Sequence, residues 1–385
     1  SEPRGDVLVF LPGERDIRET AEALTGRRLP DTEIIPLLAS LPAAEQQRAF
    51  RLAPRRRVIL ATNVAETSVT IPGIRYVIDS GLARISRYVH RTQVQRLQIE
   101  PISQASANQR AGRCGRIGPG VCIRLYGEDD LRRRAPYTDP EILRSSLAGV
   151  MLTMLDLRLG DIASFPFLDP PSAGMIRQGF RELEELGAVQ PAPHGVPALT
   201  PIGRQLARMP VEPRLGRMLL AGHQEQALES VLTIVAALAG DDPRRRPIER
   251  QAEADRAHAV WKTPASDFAA WLRLWRWWEA QTLNQPTSVS RRLCRDHFLS
   301  FNKMREWRDL RGQLAALCRR AGFDTTRDTG GDAGLHRALL TGLLGRIGHR
   351  DPETGEYRGA NGIRFALFPG SGLARRPPEW ILAAE

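Results

Sequence analysis

The stretch QRAGRCGR, Gln109 to Arg116, sets three arginines at intervals of three, Arg110, Arg113 and Arg116, with Gly112 and Gly115 between them. Positive charge at that density calls for an anion, and glycine lets the backbone approach it closely. A guanidinium grips two phosphate oxygens at once, so two of them at the end of a short helix can address one polyphosphate. Arginines used this way stabilise charge that develops in phosphoryl transfer. A solvated basic helix end, where cations meet the negative pole of the helix, is the other reading of the same residues.

Upstream, short β-rich runs alternate with helical segments, the pattern of a parallel α/β sheet. VLVFLPG (7–13) reads as a buried strand ending in a turn, ERDIRETAEAL (14–24) as an amphipathic helix, and EIIPL (33–37) as a strand. AAEQQRAF (43–50) reads as a helix, and RVILAT (57–62) and YVIDSG (76–81) as further strands. Across ARISRYVHRTQVQRLQI (83–99) polar and apolar residues roughly alternate, which predicts a β-hairpin over about 82–102. SQASANQRAGR (103–113) is predicted helical with Ser103 as its N-cap, and VCIRLY (121–126) closes the sheet.

From about Asp139 strands nearly stop. EILRSSLAGVMLTMLDLRL (141–159) and MIRQGFRELEELGAV (175–189) are predicted amphipathic helices, followed by a small hairpin in AVQPAPHGVPALT (188–200). Helices with a short wing predict a winged-helix module over about 139–203. The following stretch is helical, and Trp271, Leu274, Trp275 and Trp278 fall on one stripe that reads as packing core. After HRALLTGLLGRI (336–347), the segments IRFALFPGSG and EWILAAE read as strands of a small β-domain.

Among 385 residues, 42% hydrophobic and 26% charged content fits globular domains. The net charge of +11 rests almost wholly on arginine, because Lys262 and Lys303 are the only lysines. That balance suits phosphate-bearing partners. Cys114, Cys122, Cys294 and Cys318 form no C-x-x-C pair and read as reduced thiols. The longest apolar run, Val231 to Ala239, falls far short of a membrane span. The expectation is a cytoplasmic chain with no membrane contact.

A second chemical segment is ATNVAETSVTIPGI (61–74), which follows a buried strand with Thr62, Asn63, Glu66, Thr67, Ser68 and Thr70 close together. Such residues at a strand end can hold phosphates or sense a ligand. They also serve as turn and cap residues bonding local backbone, and spacing leaves both readings open.

Taken together, these residues resemble the second RecA-like domain of a DEAH-box (DEAH/RHA) RNA helicase, followed by that family's C-terminal modules. VLVFLPG resembles helicase motif IV, ATNVAETSVTIPGI motif V and QRAGRCGR motif VI. The wording of EPISQASANQRAGRCGR and DPEILRSSLAGVMLTMLDLRLGDI is nearest to the bacterial HrpA-type branch. The resemblance implies a RecA-like α/β domain over 1–138, a parallel sheet with a β-hairpin insertion near 82–102. It implies a winged-helix domain over 139–203, a helical-bundle ratchet domain over 204–335, and the start of an OB-fold over 336–385.

Carried over by position, Gln109 orients the attacking water, Arg113 and Arg116 act as arginine fingers, and Arg110 supports the fold. Ser68 is implied to sense the nucleotide, with Thr67 beside it, and Phe50 in EQQRAF to stack on the base. Thr62, Asn63 and Thr70 are implied to lie near the RNA backbone. The hairpin would bring Arg84, Arg87, Arg91 and Arg96 to the strand. From Arg84 to Arg116 there are seven arginines and one acid, Glu100.

The family also needs a P-loop lysine and a D-E-A-H segment. Trp261 precedes Lys262 and Asn302 precedes Lys303, so neither lysine stands in G-K-[ST], and no D-E-A-H occurs in the sequence. ATP or another NTP, with Mg²⁺, is therefore expected to be bound mainly by a first RecA-like domain preceding Ser1, with no metal site within this chain. The expected partners are single-stranded RNA, that missing domain, and a ribosome or ribonucleoprotein, for a protein acting as a monomer. The implied activity is 3′-to-5′ translocation on RNA, with negligible hydrolysis by this chain alone. A non-enzymatic RNA-binding or adaptor module and a DNA-directed translocase are the competing readings, the second because backbone charge does not separate RNA from DNA.

Overall fold

The computed structural model describes residues 5–38, 41, 43–67, 69–89, 94–116, 118–190, 195, 197–326 and 328–384, with backbone alone at 43, 44, 88, 89, 94–96, 248 and 361. The described residues divide into two compact units, the first running to Ser145 and the second from Ser146 onward.

The first unit is built on five strands: β1 (Asp6–Phe10), β2 (Thr32–Leu37), β3 (Arg56–Ala61), β4 (Ile74–Asp79) and, after the hairpin, the edge strand Val121–Arg124. All pair in parallel, with β1 between β3 and β4, β2 outside β3, and the edge strand outside β4. The central runs are apolar on consecutive residues because both faces are covered. Leu8, Phe10, Ile35, Ile59 and Val77 pack on one face, and Val7, Val9, Val58 and Leu60 on the other. Helix α1 (Glu14–Gly26) covers the second face through Ile17, and helix α2 (Ala43–Arg48) leads into β3.

Leaving β4, the chain forms β5 (Leu82–Val89) and β6 (Val94–Pro101), an antiparallel hairpin in register from Leu82–Pro101 to Val89–Val94. Helix α3 (Gln104–Ala111) follows, and Ser103 caps it by accepting from the Ser106 N–H at 3.2 Å.

At the division between the units one expectation is corrected. The segment 141–159 is not one helix: a 3₁₀ turn at Glu141–Leu143 is followed by a break, and regular helix runs only over Ala148–Asp156. Ser146 makes the break, because its hydroxyl accepts from the Ala148 N–H at 3.2 Å and donates to Glu182 at 2.8 Å. A helix at Ala173–Glu185, a two-stranded antiparallel pairing of Val189 with Leu199, and a helix at Pro201–Ala207 come next.

Helices from Pro213 to Leu340 then enclose a core that includes Met218, Val231, Trp275, Trp278 and Trp307. Leu274, Trp275 and Trp278 are buried and Trp271 meets Trp307 edge-on at 5.2 Å, so the stripe is core. The remainder is an antiparallel four-stranded sheet that includes Ile347–Arg350 and Trp380–Leu382. Among the described residues no helix is long and apolar enough to cross a membrane.

Candidate nucleotide- and RNA-facing site

Parallel α/β sheets present their loops at the carboxyl ends of the strands. Here β3 ends at Ala61 and delivers a short 3₁₀ turn, Asn63–Ala65, while β4 ends at Asp79. Helix α3 carries Gln109 and Arg110, and a 3₁₀ turn at Gly112–Gly115 carries Arg113. Arg116 follows directly.

The three arginines all reach the 61–74 loop, and they do so differently. Arg110 is fully buried, pairing with Asp79 at 2.7 Å and Glu66 at 3.1 Å and donating to the Leu82 carbonyl at 3.2 Å. Its guanidinium also lies 4.7 Å from the centre of the Phe10 ring. Asp79 in turn accepts from the Tyr126 hydroxyl at 2.7 Å and the Gly81 N–H at 2.9 Å. The guanidinium of Arg110 is thus enclosed within the first unit.

Arg113 is 7% exposed, and its guanidinium donates to the Val69 carbonyl at 2.9 Å and to the Glu66 carbonyl. Burial draws its pKa below the ordinary arginine range, with the neighbouring Arg116 charge adding to the effect. Arg116 is exposed and donates from Nη1 to Thr70 Oγ1 at 2.7 Å.

Gln109, Asn63, Thr67 and Thr70 are exposed, and Thr62 is half-buried. Phe50, 37% exposed, sits in the turn after α2. Ser68 and Arg91 lie outside the described residues, as does the side chain of Arg96. On the hairpin Arg84 is exposed, with its guanidinium 3.3 Å from where a Cβ on Gly13 would stand, against the turn that ends VLVFLPG. Arg87, also expected among the RNA-facing arginines, is engaged by two acids. It reaches both Glu100 oxygens at 2.6 and 2.8 Å and Asp139 at 2.9 Å. The Glu100 hydrogen bond, then the Asp139 one, raises its pKa further.

Sequence reading alone misses the acids that organise the site. Glu66 stands there as one polar residue among several, and Asp79 and Tyr126 carry no motif of their own. An aspartate closing the apolar run YVID is the signal that points to Asp79, since a buried carboxylate demands a partner. Among the described residues no three His, Cys, Asp or Glu are grouped to hold a metal ion.

Residues 1–118 match the helicase conserved C-terminal domain, and residues 212–312 match the ratchet-like helicase associated domain (HA2). The chain is 49% identical over its whole length to the ATP-dependent RNA helicase HrpA of Escherichia coli, covering 30% of that protein. It is 34% identical to the pre-mRNA-splicing factor ATP-dependent RNA helicase prp22 of Schizosaccharomyces pombe, covering 33% of it. Among solved structures, the E. coli DExH-box NTPase HrpB superposes with a TM-score of 0.72 at 29% identity, over 98% of this chain and 40% of that one. The chain thus spans about a third of the length of the curated relatives it matches. It carries a helicase conserved C-terminal domain followed by a ratchet-like HA2 domain, and along its full length it is similar to ATP-dependent RNA helicases.

Proposed function

We propose that this chain supplies one side of an NTP-hydrolysing site and part of an RNA channel in a helicase that couples hydrolysis to 3′-to-5′ movement along single-stranded RNA. On this reading residues 1–138 act as the second RecA-like domain, 139–203 as a winged helix, 204–335 as the ratchet and 336–385 as part of an OB-fold. A first RecA-like domain holds most of the NTP and its Mg²⁺, which neutralises charge on the phosphates when bound. Gln109 positions water, Arg113 and Arg116 stabilise the γ-phosphate, Ser68 and Thr67 sense it, and Phe50 carries the base. Thr62, Asn63, Thr70 and Arg84 meet the RNA backbone.

The observation that carries the reading is the convergence of Arg110, Arg113 and Arg116 on residues 66–70. The donor set suits an anion: Arg116 is exposed, with its described hydrogen bond going to a neutral hydroxyl. Arg113 now donates to two loop carbonyls, so turning its guanidinium towards a phosphate releases Val69 and Glu66. Nucleotide engagement and freedom of the RNA-facing loop are thereby joined through the same side chains.

The test substitutes Arg113→Ala or Arg116→Ala in the intact protein and, separately, in this chain. ATPase of the intact protein should fall by about 10³ to 10⁵, while RNA binding by this chain stays nearly unchanged. Loss of most RNA affinity in the chain would make these arginines nucleic-acid contacts instead.

A further inference from the structure

Arg57 stands in the basic run Arg55–Arg56–Arg57, where charge would be expected at the surface, yet it is completely buried. Its five N–H groups all meet oxygen. Nε and Nη2 close on Asp6 Oδ2 at 2.9 and 2.6 Å. Nη1 donates to the carbonyls of Ala49, at 3.0 Å, and Arg51, at 2.5 Å, the residues on either side of Phe50. Nη2 also donates to the Pro72 carbonyl at 2.6 Å, near the end of the 61–74 loop. The next residue, Gly73, has φ +86°, and a Cβ there would stand 2.6 Å from Asp6 Oδ2 and 3.1 Å from Arg57 Nη2. The frame therefore leaves no room for a side chain at that joint.

A buried ion pair is weak grounds for stability, since an apolar side chain of similar volume often serves as well. What an apolar residue cannot do is hold three carbonyls at fixed separation with one planar fork. Ala49 is buried while Phe50 is 37% exposed, so Phe50 sits at the surface on backbone held on both sides.

We propose that Arg57 is a positioning residue that fixes Phe50 and the end of the 61–74 loop in one frame, so that the base-stacking ring and the RNA-facing loop shift together. The inference rests on the reading of Phe50 as the nucleotide base contact.

It is tested by steady-state NTPase kinetics of the intact protein carrying Phe50→Ala, Arg57→Lys, or both. Loss of the ring should raise KM for ATP about 10-fold, the worth of one stacked base. Arg57→Lys should raise KM by a similar factor with little change in kcat, and the double variant should add no more than about twofold to Phe50→Ala, because coupled residues are non-additive. Multiplicative effects, or an unchanged KM in Arg57→Lys beside a raised one in Phe50→Ala, would overturn the proposal and leave the Phe50 reading intact. An unchanged KM in Phe50→Ala would sink both.

If Arg57→Lys does not fold, Asp6→Asn keeps the arginine and weakens its anchor. Hydrogen exchange in this chain should then rise together in peptides covering 49–52 and 69–74, while 58–61 stays protected. A rise in only one of the two, or in neither, contradicts the frame.

Discussion

Arg116 donates to Thr70 across 2.7 Å, so a residue read as facing the nucleotide and a residue read as facing RNA share one exposed hydrogen bond. Three residues back, Arg113 bonds the backbone of the same loop, and three further back Arg110 bonds Glu66. The spacing of three that makes the arginines look equivalent in QRAGRCGR gives them graded depths, from fully buried to exposed.

That gradation predicts unequal costs. Arg110→Ala leaves Asp79 buried without its charge partner and should destabilise the first unit by about 3 to 5 kcal/mol. Arg116→Ala, at an exposed position, should stay within about 0.5 kcal/mol. All seven tryptophans lie in the second unit, so their fluorescence reports that unit alone. In urea, Arg110→Ala should bring part of the far-ultraviolet circular dichroism change to lower denaturant while the fluorescence midpoint holds still.

The hairpin arginines should separate by salt dependence. Arg84 is exposed, whereas Arg87 is engaged by Glu100 and Asp139. Removing a phosphate contact lowers the slope of log K against log salt by about 1. Arg84→Ala should show that change in RNA binding by this chain, and Arg87→Ala should leave the slope as it is. The reverse order would mean that Arg87 leaves its acids for the RNA.

The thiols should be unreactive in the folded chain. Burial pushes Cys122 and Cys318 up to about 11 and Cys294 up to about 12, and it also raises Cys114. The thiolate is the reactive form, so at pH 8 alkylation should be slow until denaturant is added, when all four cysteines react. Mass spectrometry reads the count, and Cys122, which is half-buried, should be first. Because the folded pKa values are raised, the unfolded chain loses these protons first. The thiols therefore reduce stability as pH rises through about 8.5 towards the folded values.

Much of this fold is legible in residue patterns alone. β3 shows itself in RVILA because a strand covered on both faces must be apolar at every step, and Ser103 announces α3 because a hydroxyl there satisfies a free N–H. The helix over 141–159 misleads because its apolar spacing is right, and only the local bonding of Ser146 breaks it. The candidate arginines are legible from spacing and resemblance, but their partners are not. Glu66 and Asp79 meet Arg110 over 44 and 31 positions of chain, and such pairings depend on the folded sheet. Arg57 is the extreme case, since nothing in a run of three arginines says which one is buried.

On the proposed reading, QRAGRCGR completes a nucleotide site whose P-loop and metal-holding acids another domain provides. Phosphate release by this chain with ATP, Mg²⁺ and single-stranded RNA tests it most directly, read by malachite green against a no-protein blank. Release should be indistinguishable from the blank at every RNA concentration. Robust, RNA-stimulated turnover by this chain alone would contradict it.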